Sequence, residues 1–314
     1  MMNLDNQIYK YKLKYSKNIE EDPDVVKNRI KVIKKYQKQL NYLFTVPKIV
    51  QKTPEWYKAR ENMISASDFA QALNKGKFGT QKQLIIKKVN PVDDFKSNMF
   101  FIWGNMFEQA ACDIYSLLNN KIKIHDFGLI KHKNLDFFGA SPDGISDIGI
   151  MLEIKCPLKR KITPDSDVPI QYYYQIQGQL EVCELDECDY FECAFSMYNN
   201  FEDFSIDLEN IRGIILKKDG KFIYSPVYDK NETNDDWIDT QTNYDEIRCW
   251  KLDVYNLKRV YKDPVFLKEN LTELKKIWDK ICRYRNDSEA FEIEIKKSFR
   301  IDTEKLTGYI FRED

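Results

Sequence analysis

The stretch GASPDGISDIGIMLEIKCP, Gly139 to Pro157, leaves nine residues between Asp143 and Glu153 and adds Lys155 two positions on. Pro142 restricts its own backbone and Asp143-Gly144 supplies turn chemistry, so ASPDG alone reads as a hairpin corner. IMLEIKCP is apolar and strand-like. The strand period of two puts Glu153 and Lys155 on one face and Leu152 and Ile154 on the other, core-facing side. A lone Glu-x-Lys is an ordinary ion pair. An acid ending one strand, with Glu-x-Lys in the middle of the next, opens a second reading. Two carboxylates converging at a strand bend offer hard oxygen donors to a divalent cation, and the Ile154 carbonyl is a further donor. A cation there helps deprotonate a water and stabilises a leaving oxygen, while Lys155 orients the nucleophile and neutralises growing charge. That set describes metal-assisted phosphodiester hydrolysis. Asp147 reads as a solvated turn residue.

Composition narrows the chemistry further. The 314 residues are 43% hydrophobic, enough for one large domain or two small ones. Charged residues make up 32% with a net charge of -1, so a nucleic-acid partner must be met by local basic patches. With only two histidines, His125 and His132, zinc motifs built on histidine are excluded. A metal must rest on carboxylates, which favours magnesium, with manganese as a substitute. Seven scattered cysteines without a CxxC pair indicate an intracellular, reducing compartment rather than a disulfide framework. Cys183, Cys188 and Cys193 are evenly spaced, an unusual pattern for an iron–sulfur cluster. They read as small buried residues, and no cluster is expected. No apolar run suits a membrane span, and the polar N-terminus lacks a signal-peptide core.

Residues 24–44 read as a helix with Val26, Ile30, Ile33, Leu40 and Leu43 on one face. Its other face carries Lys27, Arg29, Lys31, Lys34, Lys35 and Lys38 and reads as solvated. Thr53-Pro54 starts a second helix. Ser65 and Asp68 form a capping-box-like start for a third. Further helices are expected after Gly79-Thr80, after Gly104, from Pro169 to Glu184, and from near Pro264. Between them, KIKIH, FGLIKH, LDFFGAS, IGIMLEIKC and DYFECAFSM read as strands. Asp219-Gly220 marks a two-residue hairpin turn. Residues 228–246 read as an acidic loop. The order of elements predicts a mixed α/β fold.

The motifs resemble the PD-(D/E)xK nuclease signature. The context GASPDG…LEIKCP is similar to the phage-lambda-type alkaline exonucleases, the YqaJ-type viral recombinases. Three more blocks fit that family in order. EWYKARENMISASDF supplies Trp56, Arg60 and Ser67, with Ser65 beside them, and the resemblance makes these a pocket for a DNA 5′-phosphate. Arginine is a bidentate phosphate ligand, and a serine in a first helical turn suits an anion. FIWGNMFEQAACDIY supplies Glu108, which completes the acidic site in the family. IQYYYQIQGQLEV supplies Gln175, the active-site glutamine of a Gln-x-Gln, with Gln177 beside it. The matched blocks run from about Trp56 to Leu180, and the resemblance fades after about Met197.

The resemblance implies a restriction-endonuclease-like α/β core with a central mixed β-sheet flanked by helices, plus N-terminal helical and C-terminal hairpin and helix additions. Residues 1–46 are expected as an N-terminal helical extension and 47–314 as one nuclease domain, with a core of about 54–198 and divergent additions of about 199–314. It implies a catalytic set of Glu108, Asp143, Glu153, Lys155 and Gln175. The metal, Mg2+, would rest on Asp143, Glu153, Glu108 and the Ile154 carbonyl. Lys159, Arg160 and Lys161 in KCPLKRK would meet the DNA backbone, with Lys131 and Lys133 extending the patch. The acidic run EVCELDECDYFE, 181–192, is expected to face away from DNA.

The activity implied is 5′-to-3′ exonucleolytic digestion of linear double-stranded DNA. It would leave 3′ tails for a strand-annealing partner in recombination or repair. The setting would be a host cytoplasm for a viral protein, or the bacterial cytoplasm for a phage-derived one. The insertions leave the oligomeric state open. The alternatives are a structure-selective or restriction-type endonuclease, a non-catalytic DNA-end-binding module, and an iron–sulfur nuclease.

Overall fold

The computed structural model describes residues 23–77, 79–91, 98–233 and 236–294. Residues 1–22 of the expected extension, 295–314 of the C-terminal additions, and the side chains of Val26, Arg29 and Ile33 lie outside the described residues.

Helix α1 spans Pro23–Leu43 and buries Tyr36, Leu40 and Leu43, while Lys27, Lys31, Lys34, Lys35 and Lys38 are exposed. Helix α2, Pro54–Glu61, starts as the sequence predicts: Pro54 is its first residue and the Thr53 hydroxyl accepts from the Trp56 N–H. Strand β1, Ile64–Ser65, runs into a 3-10 turn, Ala66–Asp68, and the short helix α3, Phe69–Ala72. Helix α4, Gln81–Val89, is capped reciprocally by Thr80 and Gln83. Helix α5, Met99–Leu118, begins six residues before the expected start just after Gly104. The Asn98 side chain accepts from the Phe101 N–H and caps it there. Gly104 sits inside the helix, where it is tolerated as an ordinary interior residue.

Short strands follow: β2 Ile124–His125, β3 Ile130–Lys131, β4 Phe138–Ala140, β5 Gly144–Ser146 and β6 Met151–Lys155. Helix α6, Ile170–Cys183, leads to β7, Glu187–Met197. Then come α7 Phe201–Ile206, β8 Arg212–Lys218, β9 Lys221–Tyr224, β10 Glu246–Tyr261 and α8 Phe266–Asn286. The β8–β9 turn is the expected one, with Asp219 at φ 50° and Gly220 at φ 74°.

Two sheets result. The small one has the order β1-β4-β3, and the large one β2-β5-β6-β7-β10-β8-β9. In the large sheet β6 and β7 run parallel and the other pairs are antiparallel. Helices cover both faces, as the sequence predicts for a mixed α/β fold. One core packs α1, α6 and α8 against Met151 and Tyr190; a second packs α5 against Leu152, Ile154 and Phe191; a third, smaller one gathers Phe204, Ile214, Leu216 and Tyr228. Leu152 and Ile154 therefore do face core, opposite Glu153. ASPDG is not a corner within one sheet. It carries the chain from β4 in the small sheet to β5 in the large one.

Several expectations are corrected. Strand β10 was not foreseen, although it pairs along all of β7. A bulge between Leu252 and Val254 shifts its register and hides the period of two from the sequence. The acidic run 181–192, expected to face away from DNA, turns partly inward: Glu187, Asp189 and Glu192 are buried on β7. Arg259 of β10 donates to Glu187 and Asp189, and Tyr115 to Asp189 at 2.7 Å. Asp147 is not solvated either. Because β2 pairs with β5, its carboxylate meets His125 Nε2 at 2.6 Å. Cys183 and Cys188 lie in the first core and Cys193 in the second. Among the described residues, no helix is long and apolar enough to cross a membrane.

The Arg259 ion pairs make the C-terminal third part of the same fold. Removing one partner of a buried pair leaves the other charge stranded, at a cost of about 3–5 kcal/mol. Arg259→Ala is expected to lower the urea-unfolding free energy by about that amount. A loss under 1 kcal/mol would show that β10 does not neutralise these acids.

Candidate active site

Three parts of the fold bring the central residues together. Strand β6 holds Glu153 with no exposure. Lys155, one step along the same face, donates its ammonium to Glu153 Oε1. Helix α6 lies over this face and supplies two amides, Gln175 Nε2 at 2.6 Å from Oε1 and Gln179 Nε2 at 2.7 Å from Oε2. Asp143 enters from the crossing between the sheets, and its Oδ2 accepts from the Ile154 N–H at 2.6 Å. Strand β5 is paired with β6 through Gly144 and Leu152, so the Asp143 carboxylate takes the place of the next backbone acceptor.

The electrostatics follow from crowding. Burial pushes the Asp143 carboxyl well above the usual range, and the Glu153 carboxylate adds to it, with Lys155 pulling the other way. For Lys155, burial disfavours the charge, but Glu153 and Asp143 outweigh it and hold the ammonium protonated. The ammonium also lies 5.0 Å from the Tyr172 ring centroid.

Glu108 reaches toward the same site from α5. It lines a cleft of 820 Å³ together with Ile154, Lys155, Lys159, Arg160 and Tyr172. Its carboxylate accepts from Lys52 Nζ at 2.9 and 3.1 Å. Lys159 and Arg160 thus border the cleft, and Lys161 is not among its lining residues. Arg160 also donates to the buried Glu192, so its charge partly serves the interior. Lys133, expected to extend the basic patch, is paired with Glu184 at 2.6 Å.

A second cluster lies alongside. Arg60 Nη2 donates to Ser67 Oγ at 2.8 Å and Ser65 Oγ at 3.1 Å, and its guanidinium stacks 4.3 Å from the Trp56 ring centroid. Ser67 sits in the 3-10 turn rather than in a regular helix. Asp68 anchors the turn by accepting from the Ser65 N–H and hydroxyl, and it pairs with buried Lys88 at 3.0 Å. The two clusters are tied together. Trp56 Nε1 donates to Ser141 Oγ at 2.9 Å, and Gln51 Nε2 to the Pro142 carbonyl at 3.0 Å, two residues and one residue before Asp143. Helix α6 also packs closely on the turn, because a Cβ at Gly178 would lie 3.0 Å from the Ala66 Cβ.

Two residues escaped the sequence reading. Gln179 follows Gln175 by four positions, so helical spacing alone puts both on one face. Lys52 has no such signal. Gln177 is turned away, donating to the Tyr261 carbonyl at 2.9 Å.

The donor set fits a hard divalent cation. Asp143, Glu153 and Glu108 offer only oxygen donors, the kind a hard divalent cation takes. Here Lys155 and two amides satisfy Glu153, and Lys52 satisfies Glu108. Among the described residues, no three His, Cys, Asp or Glu side chains gather into one ligand cluster.

Comparison with known proteins agrees with the motif blocks. Residues 55–186 match the YqaJ-like viral recombinase domain, which bears out the resemblance. Uncharacterized protein R354 of Acanthamoeba polyphaga mimivirus is 26% identical over 344 aligned positions, covering 91% of this chain and 61% of the relative. The chain thus spans about three fifths of the length of that relative. Among solved structures, an alkaline exonuclease of Laribacter hongkongensis, determined alone and in complex with dAMP, is 19% identical. The match has a TM-score of 0.47 and covers 77% of this chain and 100% of that one. A phage-related exonuclease of Haemophilus somnus 129PT is 12% identical with a TM-score of 0.40, covering 73% and 96%.

The Asp68–Lys88 pair gives the serine turn a pH signature. Burial alone would raise the Asp68 carboxyl, but Lys88 and Arg60 outweigh it and hold it well below the ordinary 3.8. A depressed folded pKa stabilises above the unfolded value, and the stabilisation fades as pH falls below it. Asp68→Asn is expected to lose about 3–5 kcal/mol at neutral pH and to flatten the acid limb of stability. Urea midpoints measured from about pH 3 to pH 7 check both. Parallel curves for the two proteins would contradict the assignment.

Proposed function

We propose that this chain is a metal-dependent nuclease that digests linear double-stranded DNA in the 5′-to-3′ direction. The observation that carries the reading is the convergence on Glu153 of Lys155, Gln175 and Gln179, with Asp143 on the neighbouring backbone. The match of residues 55–186 to the YqaJ-like viral recombinase domain supports a DNA substrate.

In this reading a DNA end docks by its 5′-phosphate at Arg60, Ser65 and Ser67. The guanidinium supplies charge, and the hydroxyls reorient to meet the phosphate oxygens. Lys159, Arg160 and Lys161 follow the backbone past the cleft. A magnesium or manganese ion held by Asp143, Glu153, Glu108 and the Ile154 carbonyl would supply Lewis-acid neutralisation of the scissile phosphate. Lys155 orients the attacking water and balances charge growing on the phosphate. Gln175 and Gln179 hold the Glu153 carboxylate in one orientation. Gln175 can also hold the attacking water through its amide. The product is a duplex with a 3′ single-stranded tail, a substrate for a strand-annealing protein. An intracellular, reducing setting suits the free cysteines.

One gel tests the reading. Linear duplex with 5′-phosphate, the same duplex with 5′-hydroxyl, and closed circles are incubated with magnesium and again with EDTA. Digestion is expected only with magnesium and fastest on the phosphorylated ends. Cutting of circles would replace the end-dependent reading with an endonuclease, and digestion from 3′ ends would overturn the phosphate pocket.

Lys155→Ala is expected to slow digestion by about 10²–10⁴-fold while leaving end binding in EDTA within a few-fold. Arg60→Ala is expected to remove the preference for phosphorylated over hydroxyl ends. Full activity in Lys155→Ala would leave an end-binding module as the better account.

A further inference from the structure

Lys52 stands in the turn between two clusters already described. The next residue, Thr53, caps α2, which carries Trp56 and Arg60. The preceding residue, Gln51, donates to the carbonyl of Pro142, the neighbour of Asp143. The Lys52 ammonium reaches across and contacts both carboxylate oxygens of Glu108, at 2.9 and 3.1 Å.

Stability gives a poor reason for a lysine here. Its backbone is left-handed, with φ 66°, a conformation that penalises any residue with a Cβ. Glycine would make this turn without that penalty. The ion pair does not compensate. Its side chains are 39% and 35% exposed, and half-exposed ion pairs contribute little net stability. What the lysine adds is a positive charge at a fixed place, between the 5′-end cluster and the acids. An ammonium has three donors, and two contacts to Glu108 leave it able to take a further acceptor.

Building on the nuclease reading, we propose that Lys52 is a DNA-phosphate ligand of this site, held on Glu108 until substrate arrives. A DNA strand running from the Arg60 cluster to the acids passes this ammonium. The phosphate there competes with Glu108 for it. A divalent cation held by Glu108 would leave the ammonium free for the phosphate. Lys52 thereby adds one backbone contact that the basic run 159–161 does not provide.

The test separates a substrate role from a structural one. Binding of a fluorescent, 5′-phosphorylated blunt duplex is measured by anisotropy over a range of KCl, in EDTA and in calcium, for wild type, Lys52→Gly, Lys52→Gln and Lys52→Arg. Loss of one phosphate contact lowers the slope of log affinity against log salt by about 0.9. That drop is expected for the glycine and glutamine variants in calcium, with a smaller drop in EDTA, and the arginine variant restores the slope. Lys52→Gly is expected to melt at or above the wild-type temperature because the turn is relaxed. Equal slopes in all four proteins, or a Lys52→Gly variant that melts well below wild type, would overturn the inference. If wild type binds no duplex end at all, the nuclease reading falls first, and this inference with it.

Discussion

The carboxylate of Glu153 has no contact with solvent, and the organisation around it follows from that fact. An isolated buried carboxylate is destabilising by several kcal/mol unless charge and hydrogen bonds offset it. Lys155 provides the charge from the same strand. Gln175 and Gln179 provide the donors from α6. Strand and helix are thereby held at one separation, and a group that suits neither an apolar core nor bulk water is kept in place. An apolar residue would pack here with less difficulty, so the acid marks a site where position is worth more than stability.

The same logic repeats one strand over. Glu187, Asp189 and Glu192 on β7 are buried beside the site and neutralised by Arg259, Arg160, Tyr115 and Tyr190. Their charges are answered locally, so they add little negative field at the cleft. Arg160 lies between the two systems, on the cleft rim and on Glu192. Tyr172 lies near both Arg160 and Lys155. The central strands therefore carry a polar network within an otherwise apolar sheet, and such networks hold a geometry only while every member is satisfied.

Much of the fold was legible from local chemistry. Thr53-Pro54, the Ser65–Asp68 box and Asp219-Gly220 act over a few residues and appear where the sequence predicts them. The features that were missed depend on partners distant in sequence. A bulge at Leu252–Val254 hides the alternation of β10, which is defined by its pairing with β7 and β8. The burial of the acidic run was not legible because its partners, Arg259 above all, lie some seventy residues further on. Asp147 looked solvated because His125 belongs to a strand defined only by its pairing with β5.

By itself, the sequence determined the chemical identity of the candidate site: an acid at a turn, Glu-x-Lys in a strand, a glutamine on a following helix and an arginine with nearby serines. Glu-x-Lys is legible from the strand period, and the resemblance of the sequence blocks to the family picks out the other residues. Only the tertiary structure decided which groups touch. It set Gln179 rather than Gln177 on Glu153, tied the arginine–serine cluster to the acids through Ser141 and Pro142, and set Lys52 on Glu108. Those contacts join elements from different sheets and helices. Their distances follow from how the cores pack against one sheet, which no local pattern encodes.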